Sequence, residues 1–198
     1  MRKLPHHIEN PIDSLLVDIA DIIDPYFKEV GMTPNVITTF GLISALISIH
    51  QFCSKHYKSS AIFFFLSYFL DCMDGNFARK YDMITDFGDY YDHVVDIFKS
   101  IIIYSLLFYN LYNNNRTLII MLLILLFVTS LINFGCQEKY VEKYNEKILS
   151  HTLKPLKLLC YVPSDNLENI LNITKYGSSG TLALVTTIII YNLDSLTL

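Results

Sequence analysis

The sequence predicts an all-α fold: a polytopic membrane helix bundle of five or six spans with an N-terminal amphipathic interfacial helix. Three observations predict it. Apolar residues come in long blocks separated by short polar stretches, and a block of ~18 or more apolar residues can cross a ~30 Å hydrocarbon core. No proline falls between Asn35 and Lys154, which suits a set of uninterrupted helices. The stretch 10–31 repeats its apolar residues at helical spacing. Composition alone, with 52% hydrophobic and 17% charged residues, is not extreme for a soluble protein, so the distribution decides.

The first element is the interfacial helix. Asn10 is a good N-cap, Pro11 suits the first helical position, and Gly31 is a stop. Ile12, Leu15, Leu16, Ile19, Ile22, Ile23 and Phe27 form its apolar side, and Asp13, Asp18 and Asp21 its polar side. Thr33-Pro34 restarts the chain as N-cap and first turn, and four spans follow over residues 33–136: Asn35 to about Gln51, Ser59 to Ala78, Gly88 to Tyr112, and Arg116 to Cys136. Residues 137–177 carry lysines and too few apolar residues to span, so a surface segment is preferred to a weak further span. The last span covers residues 176–193 if its helix begins near Tyr176. The whole chain, 1–198, reads as one integral membrane domain.

Orientation follows from lysine and arginine. The side holding the N-terminus, the 79–87 loop and the 137–177 segment has many of them, and the other side has Lys55, Lys58 and Arg116. The positive-inside rule makes the first side cytoplasmic. The chain is therefore expected to be a multi-pass integral membrane protein, in an endoplasmic-reticulum-type membrane if eukaryotic or an inner membrane if bacterial. A net charge of −4 argues against a nucleic-acid partner. The four cysteines are widely spaced, with no C-x-x-C pair, and indicate neither a zinc site nor a disulfide framework. No cleavable signal peptide is expected.

Seven of the thirteen aspartates lie between Asp71 and Asp96. Asp71 and Asp74 share one face of the second span, and Asp92 and Asp96, one turn apart, share a face of the third. Antiparallel helices joined by a short loop bring these faces together. Four carboxylates converging in a poorly hydrated place repel each other, and divalent cations such as Mg²⁺ or Mn²⁺ are the simplest remedy. The plainer reading, helix capping and pairing with Arg79, Lys80 and Lys99, suits Asp82 and Asp86 better than these four. Gly75 allows close approach of a ligand to the backbone, and Arg79 supplies a fixed cation for phosphate. Lys99, one turn beyond Asp96, either pairs with it or contacts substrate. His93 points about 100° away from Asp92 on the helix and reads as a packing or supporting residue.

The string Asp71-Cys-Met-Asp74-Gly75-Asn-Phe-Ala78-Arg79, eight residues, then Gly88-x-x-x-Asp92-x-x-x-Asp96 resembles the signature of the CDP-alcohol phosphotransferases, also called CDP-alcohol phosphatidyltransferases. All eight defining positions match with the spacing intact. At a frequency of ~5% per residue, a chance match is on the order of 10⁻⁸. The likeness reaches more loosely to Thr33-Pro34-Asn35 and fades beyond Cys136.

The resemblance implies transfer of a phosphoalcohol from a CDP-alcohol to an acceptor hydroxyl, with release of CMP, in phospholipid synthesis. It implies two metal ions held by Asp71, Asp74 and Asp92, with Asp96 as catalytic base and additional metal contact. It also implies a CDP site lined by Asn35, Asp71, Gly75, Ala78, Arg79 and Gly88, and a homodimer. Lys99 and Lys175 are possible further substrate contacts. Two metals suit in-line displacement at phosphorus, and a membrane location suits a lipid substrate. An aromatic-type prenyltransferase fits Asp92-x-x-x-Asp96 but not Asp71-x-x-Asp74-Gly75, and an inactive scaffold has no use for four buried acids. The histidine after Asp92 is similar to the choline/ethanolamine group, which favours CDP-choline or CDP-ethanolamine as donor and diacylglycerol as acceptor. The alternative is CDP-diacylglycerol with inositol, serine or glycerol phosphate.

Overall fold

A computed structural model describes residues 2–144, 150, 152–163 and 166–196. Every regular element among them is helical. The long helices are α1 (Pro11–Glu29), α2 (Pro34–Cys53), α3 (Tyr57–Lys80), α4 (Asp86–Asn113) and α5 (Thr117–Tyr144). Shorter ones follow: α6 (Leu167–Thr174), α7 (Ser179–Tyr191) and α8 (Leu193–Leu196), with 3₁₀ turns at Lys154–Leu159 and Lys175–Gly177.

Asn10 caps α1 as its position predicts, its side-chain oxygen accepting from the Ile12 and Asp13 amides, with Pro11 in the first turn. The faces of α1 are disposed in an unusual way. Asp13, Asp21 and Asp24 turn to α3, while Asp18 stays exposed beside Arg2: Tyr68 donates to Asp13 at 2.5 Å, and Asn76 and Lys80 reach Asp21 and Asp24. Leu15, Ile19, Ile22 and Tyr26 instead form an exposed stripe. A helix lying at a bilayer surface gains by this arrangement, because the outward apolar face meets acyl chains.

α2 and α3 pack closely because their contact is built from small residues. Ser44, Ala45, Ser48, Ser60, Ala61 and Ser67 are all buried. The Ser44 hydroxyl donates to the Phe63 carbonyl and the Ser48 hydroxyl to the Ser60 carbonyl, each at 2.8 Å. Small side chains that bring backbones together are the usual packing device inside a membrane.

Among the described residues, three helices are long and apolar enough to cross a membrane: α2, α4 and α5. α3 has 24 residues but ends in the polar run Asp71–Lys80. α7 begins at Ser179, not near Tyr176, and its 13 residues extend about 20 Å. The fourth expected span, α5, also continues past its expected end at Cys136, to Tyr144.

Two apolar clusters bracket the middle of the bundle. Phe52, Tyr57, Ile103, Leu107, Leu111, Leu123 and Ile190 knit α2, α3, α4, α5 and α7 at one end. Ala20, Ile37, Met73 and Phe77 seal α1, α2 and α3 at the other, beneath the acidic residues. A third cluster gathers Leu4 and Ile8 with Cys136, Val141, Cys160, Leu167 and Leu171, so the N-terminal segment sits on the part after α5. Cys136 and Cys160 are disulfide-bonded there, contrary to the expectation from cysteine spacing. The pairing depends on the 154–159 turn docking on α5, which wide spacing does not reveal. Gly135 permits that docking: a Cβ there would lie 2.2 Å from the Leu156 carbonyl oxygen.

Candidate active site

The polar end of α3 and the start of α4 face each other across the short 81–85 connection. Thr85 caps α4, its hydroxyl accepting from the Gly88 amide at 3.0 Å. A Cβ on Gly88 would lie 3.0 Å from that hydroxyl and 3.2 Å from the Asn35 side-chain oxygen, so the glycine lets α2 and α4 close together. Gly75 has a different reason. Its missing side chain leaves room for the Arg79 guanidinium, whose Nη1 would be 3.2 Å from a Cβ.

This frame gathers the carboxylates. Among the described residues, Asp71, Asp92 and Asp96 each offer an oxygen within 4.8 Å of the others. Asp74 is buried and turned to α2, where the Thr38 hydroxyl donates to it at 2.5 Å. Lys99 lies between α3 and α4, 2.8 Å from Asp71 Oδ1 and 2.5 Å from Asp96 Oδ1. Pairing with Asp96, one of its two anticipated roles, is therefore present, and Asp71 is added to it. Among the described residues, Asp92 Oδ1 is buried with no hydrogen-bond partner. An all-oxygen anionic donor set with such an oxygen fits a hard divalent cation.

The site opens into a cavity of about 1210 Å³, more than the ~300–1,000 Å³ of ordinary ligand pockets. Every anticipated site residue except Lys175 lines it. Lys175 instead donates to the His7 carbonyl and to Asn172, tying down the N-terminal segment. Its position in the sequence, just before α7, is compatible with either place, and tertiary packing decides. Away from the aspartates the cavity runs past Ala45, Ile49, Phe64 and Ile103 into the apolar interior.

Several residues of the site carry no signal in the sequence. Ser150 donates to Asp89 Oδ1 at 2.7 Å, and the Thr152 amide and hydroxyl each donate to Asp89 Oδ2 at 3.0 Å. The Ser150 amide also donates to Glu138 Oε2, and buried Glu138 pairs with Lys3. His93 Nδ1 lies 2.7 Å from the Asp89 carbonyl oxygen and 2.9 Å from the Thr152 hydroxyl, in agreement with a supporting role. Asp13, on the interfacial helix, lines the cavity from the far side. Burial pushes its carboxyl up to about 6, opposed by the Tyr68 hydrogen bond. Only contacts made in three dimensions distinguish these residues from ordinary polar ones.

Comparison with known proteins agrees with the signature. A stretch of 83 residues is 32% identical to the CDP-diacylglycerol–serine O-phosphatidyltransferase of Bacillus subtilis, covering 39% of this chain and 47% of that protein. Another of 96 residues is 24% identical to the archaetidylinositol phosphate synthase of Pyrococcus horikoshii, covering 48% of this chain and 47% of that protein. The chain thus spans about half the length of each of these curated relatives. No solved structure matches significantly. The CDP-alcohol phosphatidyltransferase family model matches residues 31–193. That match takes in α2 through α7, the three apolar helices and the aspartate cluster, so the chain belongs to the CDP-alcohol phosphatidyltransferase family and is an integral membrane protein.

Proposed function

We propose that this chain transfers a phosphoalcohol from a CDP-alcohol to an acceptor hydroxyl with release of CMP, and that CDP-diacylglycerol is the donor. The acceptor is then a small polar alcohol such as serine or an inositol phosphate. The observation that carries the reaction is the convergence of Asp71, Asp92 and Asp96 within 4.8 Å on the wall of a large cavity. The donor assignment is supported by the relatives, one named for CDP-diacylglycerol and serine, the other for archaetidylinositol phosphate. The apolar extension past Ala45 and Phe64 supports a substrate bearing acyl chains. The CDP-choline or CDP-ethanolamine reading rests on His93, whose Nδ1 is engaged by Asp89 and Thr152 in a local role that does not depend on the donor.

Asp71, Asp74, Asp92 and Asp96 would hold two divalent ions, Mg²⁺ or Mn²⁺. When bound, these ions supply neutralisation of the diphosphate and of the departing CMP. Thr38 fixes the rotamer of Asp74, so that this carboxylate is positioned before substrate arrives. Arg79 offers its guanidinium to the CDP phosphates, with Gly75 leaving room for that guanidinium, Gly88 bringing Asn35 of α2 close to α4, and Ala78 and Asn35 lining the nucleotide site beside them. The acceptor oxygen forms a new bond to phosphorus as the bond to the CMP oxygen breaks, and the hydroxyl proton passes to Asp96. The five-span topology, in which the 175–177 turn and α8 extend the short α7 across the bilayer, a cytoplasmic-facing site and a homodimer complete the reading. Labelling of single cysteines on either side and sedimentation in detergent test these three points.

The substrate experiment is CMP release by the purified protein with a panel of donors and acceptors, with and without a chelator. CMP formed from CDP-diacylglycerol with serine or an inositol phosphate, and lost on chelation, is expected. Release only from CDP-choline or CDP-ethanolamine with diacylglycerol would overturn the donor assignment, and release from none would overturn the reaction.

A further inference from the structure

We propose that Lys99 is a built-in counter-ion of the Asp71–Asp96 pair, and that a divalent cation loads fully only by displacing its ammonium group. This rests on reading the acidic group as a metal centre. Lys99 follows Asp96 by three residues on α4, so the two share a face, and its side chain crosses to α3. There the ammonium bridges two of the three clustered carboxylates, 2.8 Å from Asp71 Oδ1 and 2.5 Å from Asp96 Oδ1. Its side chain is only 15% exposed. Among the described residues, Oδ1 of the third carboxylate, Asp92, is buried with no hydrogen-bond partner, and Asp96 Oδ1, although in ion-pair contact with the ammonium, also lacks a partner in hydrogen-bonding geometry. The protein thus neutralises part of the cluster itself and leaves part open.

The ammonium and a divalent ion compete on two grounds. The ammonium uses Oδ1 of both aspartates, whereas a small divalent ion needs carboxylate oxygens at ~2.0–2.1 Å. An ion held by the remaining oxygens would still face a like charge a few ångströms away in a poorly hydrated site. The flexible four-carbon stem of lysine can withdraw into the cavity that Lys99 already lines, where an anionic phosphate would receive it. The same withdrawal frees Asp96 Oδ1, which the proposed proton transfer requires. Without metal, the bridge keeps α3 and α4 from being driven apart by uncompensated charge. Lys99 is thus a positioning residue that sets the strength of cation binding and couples it to release of the base.

The test is Mn²⁺ titration of the purified full chain without substrate, followed by electron paramagnetic resonance, in wild type, Lys99→Met and Lys99→Arg. Removing a competing charge should tighten Mn²⁺ binding about tenfold in Lys99→Met, a usual size for coupling between two ligands of one site. Lys99→Arg should stay near wild type. The melting temperature of metal-free Lys99→Met should fall and be restored by Mn²⁺. If that variant cannot be prepared metal-free, it is purified with Mn²⁺, and the chelator concentration that strips half the ion is compared with wild type, with an increase expected. Unchanged or weaker Mn²⁺ binding in Lys99→Met overturns the role of Lys99 while leaving the metal centre standing. Absence of Mn²⁺ binding in all three proteins overturns the centre and this proposal together.

Discussion

One wall of the cavity comes from α3 and α4, and the wall facing it comes from the two ends of the chain. The first wall lies within 26 residues, Asp71 to Asp96, on two helices joined by a tight connection. Its side chains meet because helical periodicity and the connection leave them little else to do. The facing wall draws on Lys3, Asp13, Thr152 and Ser179, brought together by packing of the N-terminal segment on α5, α6 and α7. Ser150 and Thr152 join the first wall at Asp89, three residues before Asp92, and Thr152 also at His93. The difference teaches that chemistry and enclosure are encoded separately here, the former by local spacing and the latter by long-range contacts.

The largest effect should come from the first wall. Asp92→Asn should abolish CMP release while leaving the protein in the membrane, since it removes charge from the cluster without changing its shape. Asp96→Asn should lose about 10²–10⁴-fold in turnover, the usual scale for acid–base assistance. Full activity in either variant would break the comparison at its centre.

Next is the docking of the facing wall. Gly135→Ala places a Cβ 2.2 Å from the Leu156 carbonyl oxygen, a backbone atom that cannot turn aside. It should lower stability by about 1–3 kcal/mol and expose the 152–163 segment to protease. Unchanged melting and digestion would mean that the 154–159 turn does not depend on α5 for its position.

A smaller effect belongs to the link between the walls. Asp89→Asn weakens three hydrogen bonds from Ser150 and Thr152. The acceptor KM should rise about fivefold, equivalent to roughly 1 kcal/mol, with metal affinity unchanged. A fall in metal affinity instead would make Asp89 part of the first wall.

The smallest concerns Asp13. Its carboxyl is raised by burial to about 6, so folding favours the protonated form. That contribution is fully present below about pH 4 and is lost as pH rises through about 6. The melting temperature of wild type should therefore fall between about pH 5 and pH 7.5 by more than that of Asp13→Asn. Equal slopes would show that the carboxyl is not held in this way.

The helix order, the starts of α1 and α2 at Asn10-Pro11 and Thr33-Pro34, and the acidic pairs on α3 and α4 are legible in the sequence. Each rests on interactions a few residues apart: a cap, a proline, a 3.6-residue period, an eight-residue spacer. So does the meeting of Asp71 with Asp92 and Asp96, because helices joined by a short connection must lie side by side. Tertiary structure decided the rest. It turned Asp13, Asp21 and Asp24 of α1 toward α3, gave Asp74 to Thr38, placed Lys99 between two aspartates, sent Lys175 to the N-terminal segment, and bonded Cys136 to Cys160. These are contacts between residues distant in the chain or alternatives of similar local energy. A side chain with several partners within reach is assigned only when packing has fixed which of them is near.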